Sequence, residues 1–214
     1  MAATKPQIRS MFATPVCVHF LPVAQEANAE LRPLILDRAQ SNGAANHGEG
    51  WHGEGWRSAA DFESWGGGQA QTLFRVLRDL ADSLTATRLG GRLTLDWKIT
   101  ALAAIRQKGD HQEREARPGA FWSGVYYVDD GYQKSDEETL GGECELCDPR
   151  GVLPAMVAPQ LGFRVPNGLT AGQTEIIRPQ SGMIILHPSF QPRGEKRFDG
   201  AAQRITIEFD MIAP

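Results

Sequence analysis

Apolar positions recur at helical spacing in the first part of the chain and at every second residue in the rest. Val16, Val18 and Phe20 alternate with Cys17 and His19, which predicts a first strand between Pro15 and Pro22. Residues 24–41 carry Leu31, Leu34 and Ile35 at helical spacing, with Pro33 bending that helix or marking its start. Residues 47–56 read His-Gly-Glu-Gly-Trp twice. The glycines oppose regular structure, so one reading is a surface loop whose tryptophans dock; the other is a metal or anion held by His47, His52, Glu49 and Glu54. Ser58-Ala-Ala-Asp61 has the form of a helix start. The clearest helix spans 69–88, where Leu73, Val76, Leu77, Leu80 and Leu84 make one apolar face and Gly90-Gly91 ends it.

After residue 90 the period changes to two. Leu93, Leu95 and Trp97 alternate, and Ile99 to Ile105 continues the run. Strands are also expected at Phe121–Val128, Gly142–Cys147, Thr174–Ile177, Met183–Leu186 and Arg204–Phe209, with Trp97, Phe121 and Trp122 in the core. Turns such as Lys108-Gly-Asp, Asp129-Asp-Gly, Asp148-Pro-Arg-Gly and Pro166-Asn-Gly separate them. Helices followed by about eight strands predict a mainly β fold, a sandwich or jelly roll with supporting helices on one face. No βαβ alternation supports a doubly wound nucleotide-binding sheet. The expected organisation is one domain over 1–214, with a strand and helical layer in 1–90 and the β core in 91–214.

Composition narrows the function classes. The 214 residues are 41% apolar and 22% charged, with a net charge of -4 from 22 basic and 26 acidic residues. No basic run suggests a nucleic-acid partner, and no apolar stretch approaches the roughly 20 residues of a membrane span. Lys5 and Arg9 precede an apolar stretch as in a secretory signal, but Pro15, His19 and Pro22 interrupt it. Three cysteines cannot all pair within one chain, so a reducing, cytoplasmic setting is expected. Cys144 and Cys147 have C-x-x-C spacing but lack a second pair and a helix start, so they read as ordinary strand cysteines. An exposed strand edge leaves a homodimer open.

The second half also carries an ordered set of motifs: Lys108-Gly-Asp110, Pro118-Gly-Ala-Phe-Trp-Ser-Gly-Val-Tyr-Tyr-Val128, Gly141-Gly-Glu143, Asp148-Pro-Arg150, Pro188-Ser189, Gly200 and Arg204-Ile-Thr-Ile-Glu-Phe209. Together with Met11-Phe-Ala-Thr-Pro-Val16, this set resembles a bacterial family of iron(II)/2-oxoglutarate-dependent oxygenases related to the prolyl hydroxylases. The resemblance implies a double-stranded β-helix, a cupin-like jelly roll. It also implies oxidoreductase chemistry at a metal held by two histidines and a third ligand. Two of those ligands would stand as H-x-H or H-x-D before Pro118-Gly119, and the last a few residues after Pro188-Ser189. Arg204 and Thr206 would anchor the distal carboxylate of 2-oxoglutarate, with Tyr127 as a further hydrogen-bonding group.

The chain departs from that pattern at the ligand positions, which hold Glu115, Arg117 and Arg193. Guanidiniums have no lone pair to donate, so iron(II) lacks its ligand set there. The expectation is a pseudoenzyme in which a Glu115–Arg193 or Glu115–Arg117 ion pair fills the metal's place. Its pocket would take a small anion as partner: 2-oxoglutarate, another dicarboxylate, phosphate or sulfate. The alternative is an active 2-oxoglutarate-dependent hydroxylase with relocated ligands His111, Glu113 and His187. Arg204, opening an apolar strand, would meet either an anionic ligand or Glu113 or Glu115.

Overall fold

A computed structural model describes residues 11–42, 49–132, 140–152, 156–163, 165, 168–169 and 171–214. Lys5, Arg9, His47, Pro166 and Asn167 lie outside them. Two antiparallel sheets face each other. The six-stranded sheet has β1 (Cys17–Phe20), β9 (Met183–Pro188), β6 (Trp122–Asp129), β11 (Arg204–Ile212), β4 (Lys98–Arg106) and β3 (Trp56–Arg57) in that spatial order. The five-stranded sheet runs β2 (Trp51–His52), β5 (His111–Glu115), β10 (Arg193–Glu195), β7 (Cys144–Cys147) and β8 (Thr174–Ile177). Helices α1 (Ala24–Asn42), α2 (Phe62–Trp65) and α3 (Gly67–Leu84) supply the supporting layer.

Strand alternation sorts the two sides of the six-stranded sheet. On β11, Ile205, Ile207, Phe209 and Met211 join Ala27, Leu31 and Ile35 of α1 and Leu73, Phe74 and Leu77 of α3 in the main core. The intervening Arg204, Thr206, Glu208 and Asp210 therefore point toward the other sheet. A smaller apolar cluster of Val125, Tyr127, Cys144, Leu146, Met183 and Ile185 fills part of that inner space. The rest is polar and charged, and it forms the candidate site.

Several expectations are corrected. Leu34 and Leu84 lie exposed beside their helices' buried faces. Pro33 neither starts nor ends α1, which runs through it. Helix α3 stops at Leu84 because Thr85 is extended and turns its hydroxyl back onto the Ala81 carbonyl at 2.6 Å. Leu93 to Trp97 makes no strand: the Leu95 amide and the Trp97 indole both donate to Asp82 on α3, at 3.1 and 2.8 Å, in place of a ladder. On β1 the half-buried side is Cys17 and His19, leaving Val18 and Phe20 exposed. Trp97 and Trp122 are buried, whereas Phe121 is 50% exposed.

The described part of the repeat, residues 49–56, is structured. Trp51 is buried under the Arg106 guanidinium, 4.4 Å from its ring, and β2 and β3 each extend a sheet. Gly53 and Gly55 permit this path: a Cβ on either would overlap the Asp110 carboxylate, which accepts the Glu54 amide at 3.0 Å and the Gln107 amide at 2.8 Å. The three cysteines are free, Cys144 and Cys147 both buried in β7. Among the described residues no helix is long and apolar enough to cross a membrane.

Candidate functional site

A cleft between the sheets is lined by Glu115, Arg117, His187, Arg193, Glu208 and Asp210, among others. The three positions expected to hold metal ligands meet there. Arg193 lies directly opposite Glu115 in the β10–β5 ladder. Arg117, two residues past Glu115 and beyond the end of β5, turns its Nη2 back to 2.6 Å from Glu115 Oε1. The Glu115–Arg117 pair is thus formed, while Arg193 turns toward Glu208 and Glu195, at 3.8 and 3.7 Å.

Glu208 is the hub of the network. Its Oε1 lies 2.9 Å from Arg106 Nη2, and its Oε2 lies 3.3 Å from Arg57, 3.4 Å from Arg117 and 3.8 Å from Arg193. Burial opposes the charged carboxylate, yet Arg106, Arg193, Arg57 and Arg117 hold its pKa well below the ordinary glutamate value. Glu115 moves the other way: burial raises it, Glu208 adds to the rise, and Arg117 and Arg193 offset part of it. Arg193 is raised because Glu208, Cys144 and Glu195 outweigh its own burial. The network counts the guanidiniums of Arg57, Arg106, Arg117 and Arg193 against the carboxylates of Glu115, Glu195 and Glu208.

Deeper in, the three residues expected to anchor a co-substrate are engaged by the chain itself. The Tyr127 hydroxyl donates to Glu195 Oε1 at 3.2 Å, and burial with Glu195 nearby pushes its pKa well up. The Thr206 hydroxyl accepts from Arg106 Nη1 at 3.2 Å. Arg204 is fully buried and meets neither Glu113 nor Glu115. It donates to the carbonyls of Asp130, at 2.9 Å, and Gly142, and its guanidinium sits 4.4 Å from the Phe198 ring and 5.0 Å from Tyr132.

The relocated ligands are not brought together. His111 stacks on His52 at 4.6 Å, and His52 reaches exposed Glu113 at 2.9 Å. His187 is buried on β9 in the opposite sheet. The physical reason is a bulge: Glu195 pairs with Gln112 and Arg193 with Glu115, so β5 spends one residue more than β10 between these pairs. Buried Gln112 and half-buried Glu115 flank the bulge, and Glu113 is left on the exposed side. Among the described residues no group of three His, Cys, Asp or Glu side chains is placed to hold a metal. The donor set at the matched positions, one carboxylate already paired and two guanidiniums, does not fit iron(II).

His187 is itself informative. Its Nδ1 donates to the Pro188 carbonyl at 3.0 Å, so Nε2 carries the lone pair; that atom is buried without a hydrogen-bond partner among the described residues. Burial first, then Arg193 and Arg117, lower its pKa to about 4. Beside it Ser123, its partner across the β6–β9 ladder, donates to Asp210 at 2.6 Å.

Sequence reasoning missed Arg57, Arg106, Glu195 and Glu208. Glu208 was discoverable, since Arg204, Thr206, Glu208 and Asp210 repeat at period two on a strand whose other face is apolar. Glu195 likewise stands two residues from Arg193. Arg57 carries no local signal.

Comparison with known proteins bears on the scaffold. Residues 101–210 match the model of the family described as "Putative 2OG-Fe(II) oxygenase". A search of curated proteins finds no match. Among solved structures, a prolyl-4-hydroxylase from Pseudomonas putida is 14% identical with a TM-score of 0.61, covering 93% of this chain and 92% of its own. A Trichoplax adhaerens prolyl hydroxylase, solved with a hypoxia inducible factor peptide fragment, is 15% identical with a TM-score of 0.61, covering 92% and 83%. HygX from Streptomyces hygroscopicus, solved with nickel and 2-oxoglutarate, is 10% identical with a TM-score of 0.58, covering 94% and 83%. At these identities the likeness is one of fold, and that fold is the double-stranded β-helix.

Proposed function

The chain belongs to the 2OG-Fe(II) oxygenase family, and from there we propose that it is a metal-site-degenerate member whose cleft binds a small anion and performs no iron chemistry. The observation that carries this reading is the convergence of Glu115, Arg117 and Arg193, the residues at the matched ligand positions, into an ion-pair network with Glu208. A metal ion there would have to displace Arg117 from Glu115 and sit among guanidiniums that repel it. An anion at the cleft mouth meets Arg117, which is 30% exposed, and the edge of Arg193. His187 Nε2 would accept a hydroxyl, which favours an anion bearing an O–H, such as hydrogenphosphate, over sulfate.

The test joins metal analysis of purified protein, an assay for 2-oxoglutarate-dependent succinate formation, and thermal melts with hydrogenphosphate, sulfate and malonate. The expected result is no stoichiometric iron and no succinate. A melting shift with hydrogenphosphate that Arg117→Ala abolishes completes it. Stoichiometric iron with turnover, lost on changing His111 or His187, would establish the active hydroxylase instead. Melts indifferent to all three anions would refute the anion site.

A further inference from the structure

Behind the cleft lining, next to Arg193, lies a buried carboxylate that the proposed function does not use. Glu195 is 2% exposed, on a three-residue strand between β5 and β7. Its Oε2 lies 2.7 Å from Arg106 Nε, while its Oε1 accepts from the Tyr127 hydroxyl at 3.2 Å and faces Arg193 Nη1 at 3.7 Å. Two guanidiniums and a phenol converging on one buried carboxylate describe a carboxylate-binding pocket with its ligand in place. The ligand is a side chain of the same chain.

We propose that Glu195 is a built-in occupant of a carboxylate pocket formed by Arg106, Arg193 and Tyr127, and that it closes that pocket to free carboxylates. A carboxylate arriving from outside would meet a like charge already lying between the two guanidiniums. Tyr127 and Thr206 are withdrawn from a 2-oxoglutarate site, since they bond to Glu195 and Arg106, and Arg204 gives Nε and Nη1 to the Asp130 and Gly142 carbonyls, keeping only Nη2 without a hydrogen-bond partner among the described residues. The chemical class the pocket takes is therefore a short monocarboxylate, once the side chain is removed. Truncating Glu195 to alanine deletes Cγ and the carboxylate carbon with its oxygens, the heavy atoms of acetate.

The decisive experiment is chemical rescue of Glu195→Ala, compared with Glu195→Gln and the parent chain. Glu195→Ala melts lower than the parent, and acetate raises its melting temperature by about 5–10 °C at a hundredfold excess over Kd. Chloride at equal ionic strength does not, and butyrate is too long to fit. Glu195→Gln keeps the volume filled and shows no acetate response, nor does the parent chain. If Glu195→Ala does not fold unaided, the readout becomes refolding yield with acetate against chloride. Acetate failing to rescue Glu195→Ala by either measure overturns the proposal. So does saturable binding of 2-oxoglutarate by the parent chain that Arg204→Lys abolishes. The inference stands apart from the anion at the cleft mouth, because Arg117→Ala removes that response and leaves the acetate rescue of Glu195→Ala intact.

Discussion

Glu208 keeps its charge inside the protein because four guanidiniums surround it, and removing Glu208 itself would leave those four facing only Glu115 and Glu195. Breaking a buried ion pair by deleting one side costs about 3–5 kcal/mol, far more than the pair contributes relative to an apolar replacement. In the cleft, His187, Glu208 and Glu115 shape the acid side of the stability profile. His187 has a folded pKa of about 4 against an ordinary 6.5, so between those values the unfolded chain binds a proton that the folded chain refuses. Stability therefore falls as pH drops through that window, by up to about 3 kcal/mol. Glu208 is held below its ordinary 4.5, so the unfolded chain again takes the proton first and a second loss follows below that value. Glu115, raised above 4.5, takes its proton first in the folded chain, so between its raised value and 4.5 it offsets part of the upper step. Chemical denaturation across pH should show the upper step in the parent chain and not in His187→Asn. An identical slope in both between pH 6.5 and 4 would assign that step to another group.

At the scale of elements, what could be read in the sequence depended on which face a strand presents to oil. Strands β4, β6, β9 and β11 each set an apolar face against the helices or the inner cluster, and their patterns were plain. Strands β5 and β10, His-Gln-Glu-Arg-Glu and Arg-Gly-Glu, carry no apolar residue at all. Their ladders and the charged network hold them, so hydrophobic alternation had nothing to report. The bulge that leaves Glu113 outside was equally hidden, because register is settled between strands and not within one. The Gly124 position shows a constraint of the opposite kind. A Cβ there would stand 2.3 Å from the Ile185 carbonyl on β9 and 2.6 Å from the Phe209 ring on β11. Gly124→Ala would gain about 0.5–1 kcal/mol from reduced backbone freedom, but overpacking against a neighbouring strand's backbone costs about 1–3 kcal/mol. The net expectation is a lower denaturation midpoint, with β6 displaced from both neighbours. A neutral or raised midpoint would mean that β6 and β9 separate without loss.

Across the whole molecule, the scaffold and the chemistry it can host are separable. The apolar contacts between the six-stranded sheet and the helices lie on the face away from the cleft, so exchange of charged residues on the inner face leaves the main core untouched. That separation makes a reversal testable. Glu115 and Arg193 are paired across one ladder and Arg117 lies within hydrogen-bond reach of Glu115, so the three positions converge. Glu115→His, Arg117→Asp and Arg193→His in combination would place two imidazoles and a carboxylate there, a donor set suited to divalent first-row metals. Arg57 and Arg106 would still neutralise Glu208, which keeps the hub from standing alone. The triple variant is expected to take up one equivalent of cobalt(II) with a visible d–d absorption, whereas the parent chain takes up none. Circular dichroism separates misfolding from failure to bind. A folded triple variant that ignores cobalt would mean that these three positions do not converge as a metal requires, so that the backbone as well as the side chains stands against a metal there.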